Sequence, residues 1–281
     1  MLTTVKGTVA AATTGRAVSR GRSARLVPFL FGVTARTELP GPVLVRPLCD
    51  LGLTPGAGRA LIARLRADGY LAGTPDGRRV RYRLDGDLAR GFDRLRAAGS
   101  QVPPWAGHFD ALIYQVGEDQ RAFRDQLRRS AVLAGFGLLA PGVLISVTDR
   151  FETLQPLLSQ APPGAVLYRS RLAMDDPTAA AAAAQAWNLA ELDQTYRRHL
   201  CDMHAALSPT ARTIERTGGA ALRHFADLIG PVFVDMLRAP VLPPPLEPTS
   251  WALAELRVAV SHAQQAYFPP VSAHLRTLLT A

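Results

Sequence analysis

Leu26, Phe29, Leu30 and Val33 stand three and four positions apart, which is the spacing of one helix face, and predict a first helix over 23–36. Pro40, Gly41 and Pro42 break the chain, and a short second helix follows over 43–51, closed by Gly52. Thr54 followed by Pro55 marks a third start. The threonine oxygen caps exposed N–H groups, and proline suits a first helical position because its missing N–H would have no partner there. That helix runs through RALIARLRAD and stops at Gly69. The period then changes from helical to two. In YLAGTPDGRRVRYRL, Val80, Tyr82 and Leu84 alternate with Arg79, Arg81 and Arg83, and Pro75-Asp76-Gly77 supplies the turn, so the segment predicts a β-hairpin. Another helix, DLARGFDRLRAAG, follows. Three helices and then a hairpin form a winged helix-turn-helix.

Past a linker, SQVPPWAG, short apolar runs alternate with helical patterns: strand FDALIYQV, helix DQRAFRDQLRRSAVLAG, strand GVLISV, helix FETLQPLLSQ and strand AVLYRS. This order predicts a small sheet with helices on one face, of the ferredoxin-like kind. Beyond Pro177 the pattern is helical. AAAAAAAQAWNLAELDQTYRRHLCDMHAAL reads as one long helix or two, 210–238 as another and 252–267 as a last one, with VLPPPLEP as a stiff connector. The fold class is therefore α+β. Its parts are a tail over 1–21, a winged helix domain over 22–99, a linker over 100–107, a ferredoxin-like domain over 108–176 and a helical domain over 177–281.

Charge changes this picture more than composition does. Residues 1–100 carry Lys6 and 16 arginines against 7 acids, a balance of +10, and residues 101–281 carry 15 arginines against 16 acids. A basic domain joined to a near-neutral remainder is the footprint of a module that binds a polyanion. The third predicted helix sharpens it. Arg59, Ala63 and Arg66 share one face, Leu61 and Leu65 share the opposite face, and Arg64 lies on the flank. One face anchors the helix and the other offers guanidinium forks to guanines in the major groove. Arg78, Arg79 and Arg81 at the hairpin tip suit phosphates or the neighbouring minor groove.

Little points to chemistry. His199 and His204 are five apart, not the three or four that place two ligands on one helix face. GLTPGAG lacks the Lys-Ser/Thr of a nucleotide-binding loop, Asp175-Asp176 before Pro177 reads as a helix-start pair, and no serine sits in a nucleophile elbow. The chain is read as a non-enzyme with no cofactor and no metal. Cys49 and Cys201 read as two buried free thiols of a reducing cytoplasm, with a disulfide or metal pair as the alternative. No apolar run approaches the roughly 18–20 residues of a bilayer span, and the opening residues lack the apolar stretch of a secretory signal, so the expected location is cytoplasmic.

RALIARLRADGYL with RRVRYRL, then FGLLAPGVLIS, AWNLAELDQTYRRHL and LPPPLEPTSW occur in that order across 23–260, and together they resemble the PaaX-like family of phenylacetic acid degradation repressors. The resemblance implies a homodimer that binds a double-stranded DNA operator and represses transcription until an acyl-CoA or aromatic effector, such as phenylacetyl-CoA, releases it. No membrane is involved. By position Arg59 and Arg64 fall on the family's basic recognition-helix positions, with the wing at Arg78 to Arg81. Thr54, Ala63 and Arg66 complete the candidate DNA-binding set, with Arg78, Arg79 and Arg81 on the wing. Trp187 and Tyr196, with Arg197 and Arg198, form a candidate effector site, the rings stacking an aromatic group and an arginine holding a phosphate; the rings also read as core. The chain departs from the family in lacking the acid-proline pair before the Leu-Pro stretch, in its longer N-terminal tail and in its near absence of lysine. The effector can therefore be another ligand. The middle domain also resembles the ferredoxin-like fold of CRISPR adaptation nucleases, in which a metal-binding acid ends the first strand. Here that strand ends Tyr114-Gln115-Val116 and its acid, Asp110, is near its start, so a metal-dependent nuclease is the remote alternative.

Overall fold

The computed structural model describes residues 25–97, 102, 104–208 and 217–280. The tail expected over 1–21 and the start of the helix expected over 210–238 lie outside them. The chain is α+β. Helix α1 (Leu26–Thr34) is followed by strand β1 (Leu39–Pro40), α2 (Gly41–Asp50) and α3 (Pro55–Ala67), then by β2 (Leu71–Asp76), β3 (Arg79–Leu84) and α4 (Gly86–Ala97).

Three local expectations change here. Pro40-Gly41-Pro42 does not merely break the chain: Pro42 sits in the first turn of α2, where its missing N–H costs nothing. Leu39 and Pro40 pair with Tyr82 and Arg81, giving the hairpin a third, short strand in the order β1-β3-β2. Pro75 and Asp76 belong to β2, and the reversal is the two-residue Gly77-Arg78, with Gly77 at φ +61°.

The middle of the chain runs β4 (His108–Gln115), α5 (Arg121–Ala134), β5 (Gly137–Ala140), β6 (Val143–Ser146), α6 (Phe151–Leu158) and β7 (Val166–Ala173). All neighbours are antiparallel, in the order β5-β6-β4-β7. The periodicity of the sequence had no place for β5. It is four residues long and separated from β6 by a two-residue turn, so the pair reads as one apolar run.

Leu112, Tyr114 and Leu144 on one face of this sheet pack under α5 and α6. The other face, through Phe109, Ala111 and Ile145, is covered by α7 (Asp176–Ala186) and α8 (Leu189–Leu207). The polyalanine stretch thus makes two helices. They part at Asn188, which is left-handed at φ +48°, and its side chain bonds Glu191. Asp175 caps α7 by accepting from Thr178 N at 2.9 Å, and Asp176 accepts from Trp105 Nε1 at 2.9 Å, so the acid pair is a helix start.

Helices α9 (Gly218–Arg238) and α10 (Leu253–Thr280) pack against α1 and α2 in one core, with Phe225 between Phe29 and Tyr267 at ring separations of 5.7 and 5.4 Å. The last helix does not end at Tyr267 but continues through Pro269 and Pro270. Prolines disfavour a helix interior, yet Val271 and Leu275 beyond them are 0 % and 4 % exposed in that core. Burial of each is worth about 1.5–3 kcal/mol, enough to carry the helix on. The proline-rich connector forms a single 3₁₀ turn (Pro244–Leu246) and buries Leu242 and Leu246.

The two thiols are free, but not buried as expected: Cys49 is half-buried and Cys201 exposed, because each falls off the packed stripe of its helix. Among the described residues no helix is long and apolar enough to cross a membrane, and no group of three or more His, Cys, Asp or Glu side chains is placed to hold a metal.

Candidate nucleic-acid interface

Helix α3 is anchored by Leu61, Ile62 and Leu65, all under 5 % exposed, and begins where the Thr54 hydroxyl accepts from Ala57 N at 3.2 Å. That anchoring turns Arg59, Ala63 and Arg66 outward into solvent, with Arg64 on the flank. The outward face borders a concavity of about 530 Å³ walled by Pro42, Val45 and Arg46 of α2 and by Tyr82 of β3. The Arg66 guanidinium carbon lies 5.9 Å from the centroid of the Tyr82 ring, which braces the helix against the hairpin. Gly73 makes room for this: a Cβ there would stand 3.3 Å from the Tyr82 ring and 3.4 Å from Arg66 Nε.

The alternation of β3 holds. Arg79, Arg81 and Arg83 are exposed while Val80, Tyr82 and Leu84 are half-buried. The three arginines are not equivalent. Arg81 Nε donates to Asp76 Oδ2 at 2.8 Å and Arg83 Nη1 to Asp85 at 3.2 Å, and the Asp76 carboxylate raises the Arg81 guanidinium above its ordinary value. Among the described residues Arg59, Arg64, Arg78 and Arg79 form no ion pair. One contributor escaped the sequence reading: Arg46 is exposed on α2 and donates to the main-chain oxygen of Leu278 at 3.3 Å. Its signal was available, since Arg46 lies off the stripe of Leu44 and Leu48.

The four candidate effector residues are not brought together. Trp187 packs on Phe109, with ring centroids 6.2 Å apart, and Tyr196 is wholly buried beside Trp251. Burial, and then the Asp235 charge, pushes the Tyr196 hydroxyl well above the ordinary tyrosine range. Arg197 is exposed and bonds Asp193 at 2.7 Å and the Ser250 main-chain oxygen at 2.8 Å, and Arg198 bonds Thr195 at 2.8 Å. A larger space lies elsewhere. A cleft of about 390 Å³ runs between the N-terminal and middle parts, bordered by Tyr70, Asp87, Arg90, Gln126, Arg129 and Gln160. In the middle sheet Asp110 is 8 % exposed and lies 3.5 Å from Arg171.

Residues 102–179 match the family model of the PaaX protein central Cas2-like domain. Over 204 residues the chain is 24 % identical to the transcriptional repressor PaaX of Escherichia coli (strain K12); the match covers 69 % of this chain and 63 % of that protein. Among solved structures, the uncharacterized protein Rv0674 from Mycobacterium tuberculosis aligns with a TM-score of 0.51 at 23 % identity, covering 92 % of this chain and 100 % of its own. The fold and these matches define a protein built around a Cas2-like central domain. In its central domain and over most of its length the chain is similar to the PaaX-like family.

Proposed function

We propose that this chain is a cytoplasmic, non-enzymatic transcriptional repressor that binds a double-stranded DNA operator as a homodimer. The observation that carries the reading is the outward face of α3, where Arg59 and Arg66 flank the small Ala63 beside a hairpin tip bearing Arg78 and Arg79. In this reading residues 22–99 are a winged helix-turn-helix. Its α3 lies in the major groove, where Arg59, Arg64 and Arg66 face the bases, Ala63 allows close approach and Thr54 sets the helix start. Arg78 and Arg79 reach phosphates, with Arg81 a weaker contact because Asp76 already engages it.

Residues 108–176 are the ferredoxin-like scaffold, an assignment supported by the strand order β5-β6-β4-β7, and 177–281 form the helical dimerisation part, after a linker at 100–107. An acyl-CoA or aromatic effector such as phenylacetyl-CoA releases the operator. The 390 Å³ cleft offers such a ligand room that the packed rings of Trp187 and Tyr196 do not.

The test is a fluorescence titration of the protein on its own upstream DNA and on a scrambled duplex, at two salt concentrations, with and without phenylacetyl-CoA. The expected result is a salt-sensitive preference for the upstream DNA that the thioester abolishes. Preference that ignores the thioester keeps the regulator and moves the effector to another ligand. Equal, salt-insensitive binding overturns the DNA reading.

A further inference from the structure

Arg94, on α4, leaves the N-terminal part and enters a junction where three parts of the fold meet. Its guanidinium donates to the main-chain oxygen of Leu237 at the end of α9 and, at 3.5 Å, to that of Val132 on α5. Helix α5 stops beside it on Gly135, where a Cβ would lie 2.5 Å from Arg94 Nη1. Two small cavities of about 10 and 20 Å³ open around Arg94, Pro240 and Val241; Arg257 borders the first, and Arg150, Thr148 and Trp187 the second.

Among the described residues no carboxylate borders either cavity. Among the described residues neither Arg94, Arg150 nor Arg257 forms an ion pair. Trp187 is 8 % exposed, and its buried Nε1 has no hydrogen-bond partner among the described residues. Indole nitrogen only donates, so it needs an acceptor. Burial, and then the charge of Arg150, lowers the Arg94 guanidinium to about 10, which still leaves it charged at neutral pH. Charges removed from water are ordinarily matched by an opposite charge. A water molecule would accept from these donors without neutralising them; an anion does both.

We propose that Arg94, Arg150 and the Trp187 indole N–H hold a small inorganic anion of halide size. A space of about 20 Å³ admits roughly one water-sized body, which suits chloride or bromide. The anion would join α4, the segment after β6 and the α7–α8 junction, and so fasten the DNA-reading end of the chain to its remainder.

The experiment compares thermal unfolding of the full chain in sodium chloride, sodium bromide and sodium gluconate at equal ionic strength. The same comparison is made for Arg94→Met and Arg150→Gln, and anomalous diffraction is collected from crystals in bromide. Wild type gains about 2–4 °C in the halides, both variants lose that gain, and a bromide peak lies within hydrogen-bond reach of Arg94 and Trp187. Halide gains that are equal in wild type and variants, or a junction without a bromide peak, overturn the proposal. Should Arg94→Met fail to fold, Arg150→Gln and the bromide map decide. DNA takes no part, so failure here leaves the operator reading untouched.

Discussion

His274 Nε2 lies 2.7 Å from Asp50 Oδ2, joining α10 to α2 across 224 residues of chain. Beside it, Arg223 of α9 donates twice to the Asp50 main-chain oxygen, at 2.9 and 2.7 Å. The C-terminal helices therefore grip the helix that precedes α3. Asp50→Asn weakens this grip, and His274→Ala removes its side-chain arm. Each is expected to cost about 1 kcal/mol, or about 2–4 °C in the midpoint of thermal denaturation. An unchanged midpoint would mean that the contact carries no stability.

Arg59→Ala is expected to remove operator preference while leaving binding to scrambled duplex nearly intact. A lost bidentate contact to a base corresponds to roughly 5- to 150-fold in discrimination. A variant with full preference in the titration takes α3 out of the reading role.

Arg79 and Arg81 separate by their partners. Arg79→Ala is expected to weaken binding to every sequence and to lower the slope of log K against log salt by about 1. Arg81→Ala is expected to change it less, because Asp76 already holds that guanidinium at 2.8 Å. Equal slopes for the two variants would contradict the distinction.

Gly135→Ala meets two obstacles: a φ of +101°, which side chains rarely adopt, and the Arg94 guanidinium 2.5 Å from the new Cβ. Equilibrium unfolding is expected to show a loss of more than about 1 kcal/mol. In the Arg94→Met background only the backbone share of the loss remains.

Among the described residues the Tyr196 hydroxyl has no hydrogen-bond partner, and it is buried. Tyr196→Phe removes an unsatisfied group and is expected to leave stability unchanged or raise it by up to about 1 kcal/mol. The hydroxyl also sets a pH dependence. Its folded-state value is raised, so its contribution is whole below the ordinary tyrosine value of about 10 and declines as pH rises through the folded value. The phenylalanine variant is expected to lack that alkaline decline in denaturation midpoints.

What the sequence determined by itself is local. Thr54-Pro55, Gly77 and the alternation of Val80, Tyr82 and Leu84 with arginines are decided by backbone conformation and by period, which neighbours in the chain carry. The outward set of Arg59, Ala63 and Arg66 followed from the angular spacing of one helix. Tertiary structure decided what depends on partners far away in sequence. Strand β1 exists because β3 offers Leu39 and Pro40 a free edge, and β5 because β6 pairs with it. Helix α10 runs through two prolines because a core made with α1 and α2 rewards Val271 and Leu275. Trp187 became core because Phe109 of the sheet packs on it, and Tyr196 because Trp251, far along the chain, packs beside it. The Arg94 junction was invisible for the same reason: nothing in the chain announces that Arg94 shares one cavity with Arg150 and another with Arg257, and only packing brings these like charges near it.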